Sequence, residues 1–242
     1  MPTRIHLDYK VGGIYWVPVS VSTEQFRSIR HKLGSEFRYK NDNINDAFKD
    51  FRNYDSFIKD VNYALDRRDY APSFNDFKEA LINGEDFSII TARSNSPKSL
   101  IDGIKIIIDK NFSYGNKKQM EKNLKGISIE EYLSLQDYHP VSSKEFLDNF
   151  NLDTTESKPE KGKEVAFENF VDRVVKQIDG IIDNPNFEGI SVGYSDDDLS
   201  NLEIIENLIR EKLIIKYPNI QFNIFDTSDP NNPKKKRIII KK

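Results

Sequence analysis

The chain has 242 residues, of which 31% are charged and 37% hydrophobic, and its formal net charge is -3. This length and composition describe a well-solvated globular protein that can bury a core without cross-links, and they exclude an intrinsically disordered chain. The absence of cysteine excludes structural disulfides, thiolate zinc sites and a cysteine nucleophile, and it fits a reducing compartment.

The sequence predicts neither a targeting segment nor a membrane span. The start, MPTRIHLDYK, contains no apolar stretch like the core of a signal peptide, and no apolar run approaches the roughly 18 residues of a membrane helix. We therefore expect a cytoplasmic protein that has no membrane partner.

Two strands and a long helical region are predicted first. Residues 3–8 alternate apolar and polar side chains, which predicts a short strand that ends at Asp8. After a pair of glycines, residues 14–21 alternate again and predict a second strand, half of a hairpin, with Pro18 favouring an edge position. Residues 22–85 carry apolar side chains at helical spacing and predict a helical insertion before the next strand.

The middle of the chain predicts one strand and several helices. Residues 87–91 are a short apolar strand candidate, and Pro97 is well placed to begin the next helix. Two capping boxes predict the starts of short helices, and they are Ser128 with Glu131 and Ser142 with Glu145. Residues 151–163 are polar and lack periodicity, which predicts a linker or mobile loop.

Helices and strands then alternate to the end of the chain. The predicted elements are a helix over 164–182, a strand over 189–194, a helix over 199–215, a strand over 220–225 and a short strand over 237–240. Such an order implies right-handed crossovers and a parallel sheet. We predict a single α/β domain over residues 1–242, a three-layer sandwich with a mostly parallel central sheet.

Polar side chains follow three of the predicted strands. They are Asp8, then Thr91 with Arg93, and finally the run from Ser195 to Asp198. In open parallel sheets, ligands bind outside the carboxyl ends of the strands, where loops and helix N-termini converge. Carboxylates suit magnesium, while a hydroxyl and a guanidinium suit a phosphoryl group, so these residues predict a site for both.

The order of these motifs resembles the haloacid dehalogenase superfamily, most closely the versions found in tailed phages. The shared features are a strand-end Asp near the start, Ile-Ile-Thr-Ala-Arg in the middle, a Lys ahead of a helix, and Gly-Tyr-Ser-Asp-Asp-Asp after a late strand. The resemblance implies a Rossmann-like fold. It also implies roles for individual residues: Asp8 as nucleophile, Thr91 as phosphate ligand, Lys163 or less favourably Lys161 as charge neutraliser, and Asp196 and Asp197 with Asp8 as magnesium ligands.

The first motif departs from the family pattern at Lys10. The family has a second Asp there, two residues after the nucleophile, which serves as general acid and base. A lysine does not replace it as a general acid to an alkoxide unless its pKa is strongly lowered, and its charge opposes a metal ion. This departure argues against efficient phosphatase chemistry.

Each of these residues also has a purely structural interpretation. Asp8 can be a turn residue, Arg93 can face solvent at a strand end, and Lys163 can be a solvated linker residue. The acidic run over 196–198 can cap a helix, because carboxylates are favoured at helix N-termini. The basic tail over 234–242 can contact nucleic acid, or it can be an edge strand whose charges block aggregation.

Two functions of different class remain. The first is a catalytically degenerate protein that acts as a structural or interaction component. Its predicted partners are other proteins, among them components of a phage virion. The second is a magnesium-dependent phosphatase or nucleotidase that uses an aspartyl-phosphate intermediate on Asp8. For a phage-encoded protein, the location would be the host cytoplasm or the virion.

Overall fold

A computed structural model describes residues 4–71, 73–152, 159–178, 189–229 and 234–238. The chain forms two compact units. Unit 1 comprises Met1–Asp69 and Arg93–Asn111, and unit 2 comprises Tyr70–Ala92 and Phe112–Lys242. Among the described residues, no helix is both long enough and apolar enough to cross a bilayer.

Unit 1 combines a small antiparallel sheet with helices. Its strands and α-helices, in chain order, are β1 (Ile5–Val11), β2 (Tyr15–Val21), α1 (Thr23–Ile29), β3 (Phe37–Tyr39), α2 (Ile44–Ala47), α3 (Tyr54–Arg67) and α5 (Pro97–Asn111). The strand order is β2-β1-β3, so β1 is central and β2 lies at an edge. The predicted helix beginning at Pro97 is confirmed, and it buries Leu100, Ile104 and Ile108.

The β1–β2 hairpin confirms one prediction and corrects another. Gly12 and Gly13 have φ angles of 58° and 71°, a conformation that glycine adopts without strain, and they reverse the chain. The predicted edge position of Pro18 is confirmed. The predicted strand end at Asp8 is wrong, because Tyr9, Lys10 and Val11 continue the ladder opposite β2.

A close helix contact completes unit 1. Helix α5 packs on α3 at Gly103, where an added Cβ would lie 2.7 Å from a ring atom of Phe57. Only a residue without a side chain lets the two helices approach this closely.

Unit 2 holds the remaining strands and helices. In chain order they are α4 (Phe74–Asn83), β4 (Ser88–Thr91), α6 (Tyr114–Asn123), α7 (Ile129–Ser134), β5 (Asp137–Pro140), α8 (Lys144–Asn149), α9 (Pro159–Ile178), β6 (Ile190–Asp196), α10 (Leu199–Leu208), α11 (Ile214–Lys216), β7 (Ile220–Asp226) and β8 (Lys234–Ile238). A π-helical turn over Ile209–Leu213 joins α10 to α11. The main core packs α9 and α10 against β6 and β7, around fully buried side chains such as Phe167, Ile205 and Phe222.

The α/β class is confirmed, but the predicted mostly parallel central sheet is wrong. The described strands form three small sheets, namely the antiparallel sheet of unit 1, the parallel pair β4–β5, and a sheet in the order β6-β7-β8. In the last sheet β6 and β7 are parallel, and β8 is antiparallel to β7. Strand patterning located most strands, the β1–β2 hairpin and the parallel pairing of β6 with β7, but not the division of the strands into three small sheets.

Three boundaries differ in detail from the predictions. Ser143, not Ser142, caps α8, and its side chain accepts a hydrogen bond from the Phe146 amide. Helix α9 begins at Pro159, inside the predicted loop over 151–163, of which residues 153–158 lie outside the described part. Residues 22–85 contain β3 as well as helices α1 to α4, and the boundary between the units falls within them. The single domain over 1–242 stays a prediction.

Candidate functional site

Asp8 lies in the middle of β1 and is paired with a cation. Its side chain is 9% exposed, and the Nε of Arg38 donates to its Oδ2 at 3.2 Å. Arg38 is delivered by β3, whose register places it directly opposite Asp8. The guanidinium also donates to Asp42 at 2.8 Å, so it bridges two carboxylates. Asp8 is therefore a buried, paired residue of a sheet and not a strand-end turn residue.

Lys10 has a structural partner beside this pair. It lies opposite Trp16 in the hairpin, and its ammonium is 5.6 Å from the centre of the indole ring. The Arg38 guanidinium lies 4.6 Å from the same ring. Cations are attracted to the face of an indole, so the residue that departs from the family pattern takes part in a cation–π cluster.

Thr91 belongs to unit 2 and Arg93 to unit 1. Thr91 ends β4, as predicted, and its carbonyl accepts a hydrogen bond from the Val141 amide at 2.9 Å. Arg93 donates to Asp60 at 2.8 Å. Its guanidinium also lies near two aromatic rings of unit 1, those of Phe51 and Phe57. The contacts of Arg93 therefore tie its own unit together.

The most organised polar cluster surrounds Asp196, at the carboxyl end of β6. Lys163 reaches it from α9, with the Nζ 2.6 Å from Oδ2. Both side chains are buried, at 12% exposure for Lys163 and 8% for Asp196. The structure thus brings together two residues that are 33 positions apart and that the family resemblance places in one site. Lys163 is a buried ion-pair partner rather than a solvated linker residue.

The remaining contacts of Asp196 come from its own strand and from the next helix. Tyr194 donates to Oδ2 at 3.0 Å, while the Asp198 amide and the Asn201 side chain donate to Oδ1 at 2.9 and 3.0 Å. Asp198 in turn caps α10 by accepting from the Ser200 amide. The predicted capping role of the acidic run therefore belongs to Asp198.

Burial and pairing act in opposite directions on the Asp196 carboxyl. Burial alone would raise its pKa, but the Lys163 charge and the hydrogen bonds from Lys163, Asn201 and Asp198 outweigh burial and hold the pKa below its ordinary value of 3.8. Burial and the adjacent Asp196 charge raise the pKa of the Tyr194 hydroxyl. Asp196 is thus an ionised carboxylate and Tyr194 a neutral hydrogen-bond donor at neutral pH.

Asp196 is poorly suited to bind a metal ion. Its two oxygens accept four hydrogen bonds, and one donor is a cation that would repel Mg²⁺. Asp197, the other predicted ligand of unit 2, is exposed. Within the described ranges, no group of three or more His, Asp or Glu side chains is placed to hold a metal.

A second surface of note lies on the hairpin of unit 1. Residues of odd number share one face of β1 and β2, because Tyr9 is opposite Val17 and Val11 is opposite Tyr15. Toward the turn this face becomes open to solvent, with Tyr15 58% exposed, and Ile14, in the turn itself, is 84% exposed. Further along, the two strands, Phe37 and α1 enclose an apolar groove of about 340 Å³.

Three participants were missed from the sequence. Arg38 lies on a strand of three residues, too short for periodicity to reveal, so its pairing with Asp8 had no signal. Tyr194 and Asn201 flank the acidic run and could have been found as donors to it.

Comparison of the chain with protein families, with curated proteins and with solved structures finds no match. The resemblance to the haloacid dehalogenase superfamily therefore stays a prediction.

Proposed function

We propose that the chain is a non-hydrolytic binding or structural protein. The observation that carries this proposal is that both carboxylates implied as nucleophile and metal ligand are paired with cations of their own unit, Asp8 with Arg38 and Asp196 with Lys163. A bound guanidinium stabilises the negative charge that a nucleophile must share with phosphorus, and a bound ammonium opposes Mg²⁺. Lys10 adds a further positive charge at the Trp16 ring that Arg38 also contacts.

The hairpin of unit 1 is the surface that we assign to a protein partner. Near its turn the hairpin exposes Tyr9, Tyr15 and Val17 on one face and Ile14 in the turn itself, and aromatic side chains are enriched in protein interfaces. Pro18 lies within the edge strand and lacks an amide donor, so addition of a further strand to this edge is disfavoured. The partner would then contact the face of the hairpin. That the partner belongs to a phage virion follows from the family resemblance alone.

Nucleic acid is a less favoured partner. The backbone of Lys234–Ile238 forms β8, an edge strand paired with β7, which agrees with the interpretation of the basic tail as a charged edge. Residues 239–242, the end of the predicted basic tail, lie outside the described residues.

One observation favours the alternative of a magnesium-dependent phosphatase. The 2.6 Å contact between Lys163 and Asp196 joins the two residues that the resemblance implies as charge neutraliser and late acid. The two functions therefore differ in what Asp8 and Asp196 do when Mg²⁺ and a phosphate ester are present.

Hydrolysis of p-nitrophenyl phosphate with and without Mg²⁺ tests the choice. The wild type, Asp8→Asn and Asp196→Asn are compared with Asp66→Asn, a control at an exposed position. We expect no magnesium-dependent hydrolysis above the rate of the buffer in any of them. Hydrolysis that both site substitutions abolish and Asp66→Asn preserves would overturn the proposal, provided that circular dichroism shows all variants folded.

A further inference from the structure

We propose that a groove in unit 2 binds an organic anion, a phosphate or carboxylate group joined to an apolar or aromatic portion. The groove has a volume of about 1010 Å³ and lies between the end of α4, the segment after α6, α7 and the C-terminal half of α9. Its size is that of a pocket for a small organic molecule. This inference is independent of the proposed function.

Two lysines supply positive charge at the groove. Lys122 is in the last turn of α6 and Lys125 follows it in a left-handed conformation with a φ of 52°. Both side chains are exposed, and neither makes an ion pair or hydrogen bond with the part of the chain that the structure describes. A concave surface lined by charges of one sign raises the local concentration of the opposite ion.

A fixed guanidinium lies in the wall of the same groove. The Nε of Arg173 donates to Asp137 at 2.7 Å, and its guanidinium lies 5.4 Å from the centre of the Phe170 ring. Its Nη2 is buried and has no acceptor among the described residues. A buried donor without a partner is costly, and guanidinium geometry matches the oxygens of a carboxylate or phosphate. Nη2 is shielded from solvent, so a ligand oxygen would remove that cost only if neighbouring side chains of the groove moved to admit it.

The balance of charge and the apolar lining define the rest of the ligand. Three cationic side chains and one carboxylate, Asp86, line the groove, but the Arg173 charge is already paired with Asp137 at 2.7 Å and lies 3.6 Å from Asp86, so the excess positive charge comes from the two lysines. Ile127 and Leu135 line it as well, and both are exposed apolar residues. A purely inorganic anion would leave this apolar surface in water, whereas an anion with an apolar portion covers it.

Isothermal titration of the full chain with four probes tests the site. The probes are 1-naphthyl phosphate, 1-naphthylacetate, the neutral 1-naphthylmethanol and inorganic phosphate. We expect at least one naphthyl anion to bind with a Kd below 1 mM, about tenfold or more tighter than the neutral probe and inorganic phosphate. The tighter naphthyl anion identifies a phosphate or a carboxylate as the preferred group. Release of 1-naphthol from 1-naphthyl phosphate would report hydrolysis, which is measured separately from binding. The proposed binding site can therefore fail while the proposed function stands, and the reverse.

Charge-reversal variants locate the site. We expect Lys122→Glu with Lys125→Glu to weaken the naphthyl anions about tenfold, and Leu135→Ser to weaken them while leaving inorganic phosphate unchanged. The matched control is Lys49→Glu with Lys59→Glu, the same charge change at exposed positions of unit 1. Equal weakening by the two charge reversals, equal binding of the neutral probe, or no anion binding below 1 mM would each overturn the proposal. Thermal melting confirms that each variant is folded.

Discussion

Replacement of Lys163 by Met leaves a buried carboxylate without its cation. The ammonium and the Asp196 carboxylate are 2.6 Å apart, and their side chains are 12% and 8% exposed. Removal of one partner of a buried pair costs about 3–5 kcal/mol, because the remaining charge is desolvated without compensation. Asp196 keeps its hydrogen bonds from Tyr194, Asn201 and the Asp198 amide, so we expect a loss near the lower end, about 3 kcal/mol.

Urea titration followed by far-ultraviolet circular dichroism measures this loss, with Lys161→Met as the matched control. Lys161 is on the same helix, is 54% exposed and pairs with Glu164 at the surface. Such a pair contributes roughly 0–1 kcal/mol, so the control should unfold almost as the wild type does. A Lys163→Met variant within about 0.5 kcal/mol of the wild type would refute the assignment of Lys163 as a buried partner.

The pH dependence of the same variant provides a second readout. Because the pKa of Asp196 is lowered in the folded state, its contribution to stability is present above the ordinary value of 3.8 and is lost as pH falls through the folded value. Without Lys163, burial is no longer opposed by the ammonium and raises the pKa. We therefore expect Lys163→Met to lose less stability than the wild type in this acid range.

Three further substitutions test other parts of the structure. Arg38→Met leaves Asp8 buried without its cation and should lower the free energy of unfolding by about 2 kcal/mol, a value reduced because the guanidinium is partly exposed. A change below about 0.5 kcal/mol in urea titration would contradict the pairing of Arg38 with Asp8. Burial lowers the pKa of His139, so stability should fall as pH drops below its ordinary value of 6.5, and His139→Leu should remove that part of the pH profile. Gly103→Ala should destabilise the protein by about 1–3 kcal/mol through overpacking. Gly115→Ala is the control and should not, because its added Cβ meets no atom closer than 3.8 Å. Equal melting temperatures of these two variants would contradict the close contact of α5 with α3.

The sequence predicted local structure better than strand pairing. The edge strand with Pro18 and the helix from Pro97 depend on spacing within one segment, and both are confirmed. The parallel pairing of β6 with β7 was also predictable, because α10 connects them directly. The hairpin of β1 and β2 was predicted from the glycine pair and the alternation that follows it, and it is confirmed; β3, the other neighbour of β1, was not predicted, because three residues carry no period. The family resemblance implied a parallel sheet around β1, and the antiparallel pairing on both sides of β1 shows that this implication was wrong.

The sequence predicted which residues form the candidate site, but not the hydrogen bonds and ion pairs that those residues make. Spacing and family pattern selected Lys163 and Asp196, and the structure brings them together. Neither signal reports how many hydrogen bonds a carboxylate accepts, because those donors come from Tyr194, Asn201 and a backbone amide. For Asp8 the deciding partner, Arg38, depends on a three-residue strand and on a register that no periodicity encodes.

The two ion pairs together explain why Asp8 and Asp196 are better suited to stabilising the fold than to binding a metal ion. A carboxylate that binds Mg²⁺ must offer an oxygen to the ion, and the ion must outcompete whatever already holds that oxygen. At Asp196 it would have to displace a buried ammonium, and at Asp8 a guanidinium that also holds Asp42. Displacement would break the ion pair of a buried carboxylate in both places, and at Lys163 it would leave a buried cation without that partner; this cost adds to the dehydration of Mg²⁺. The presence of both acids is therefore compatible with a role in stability, and the Lys163→Met and Arg38→Met variants measure that role.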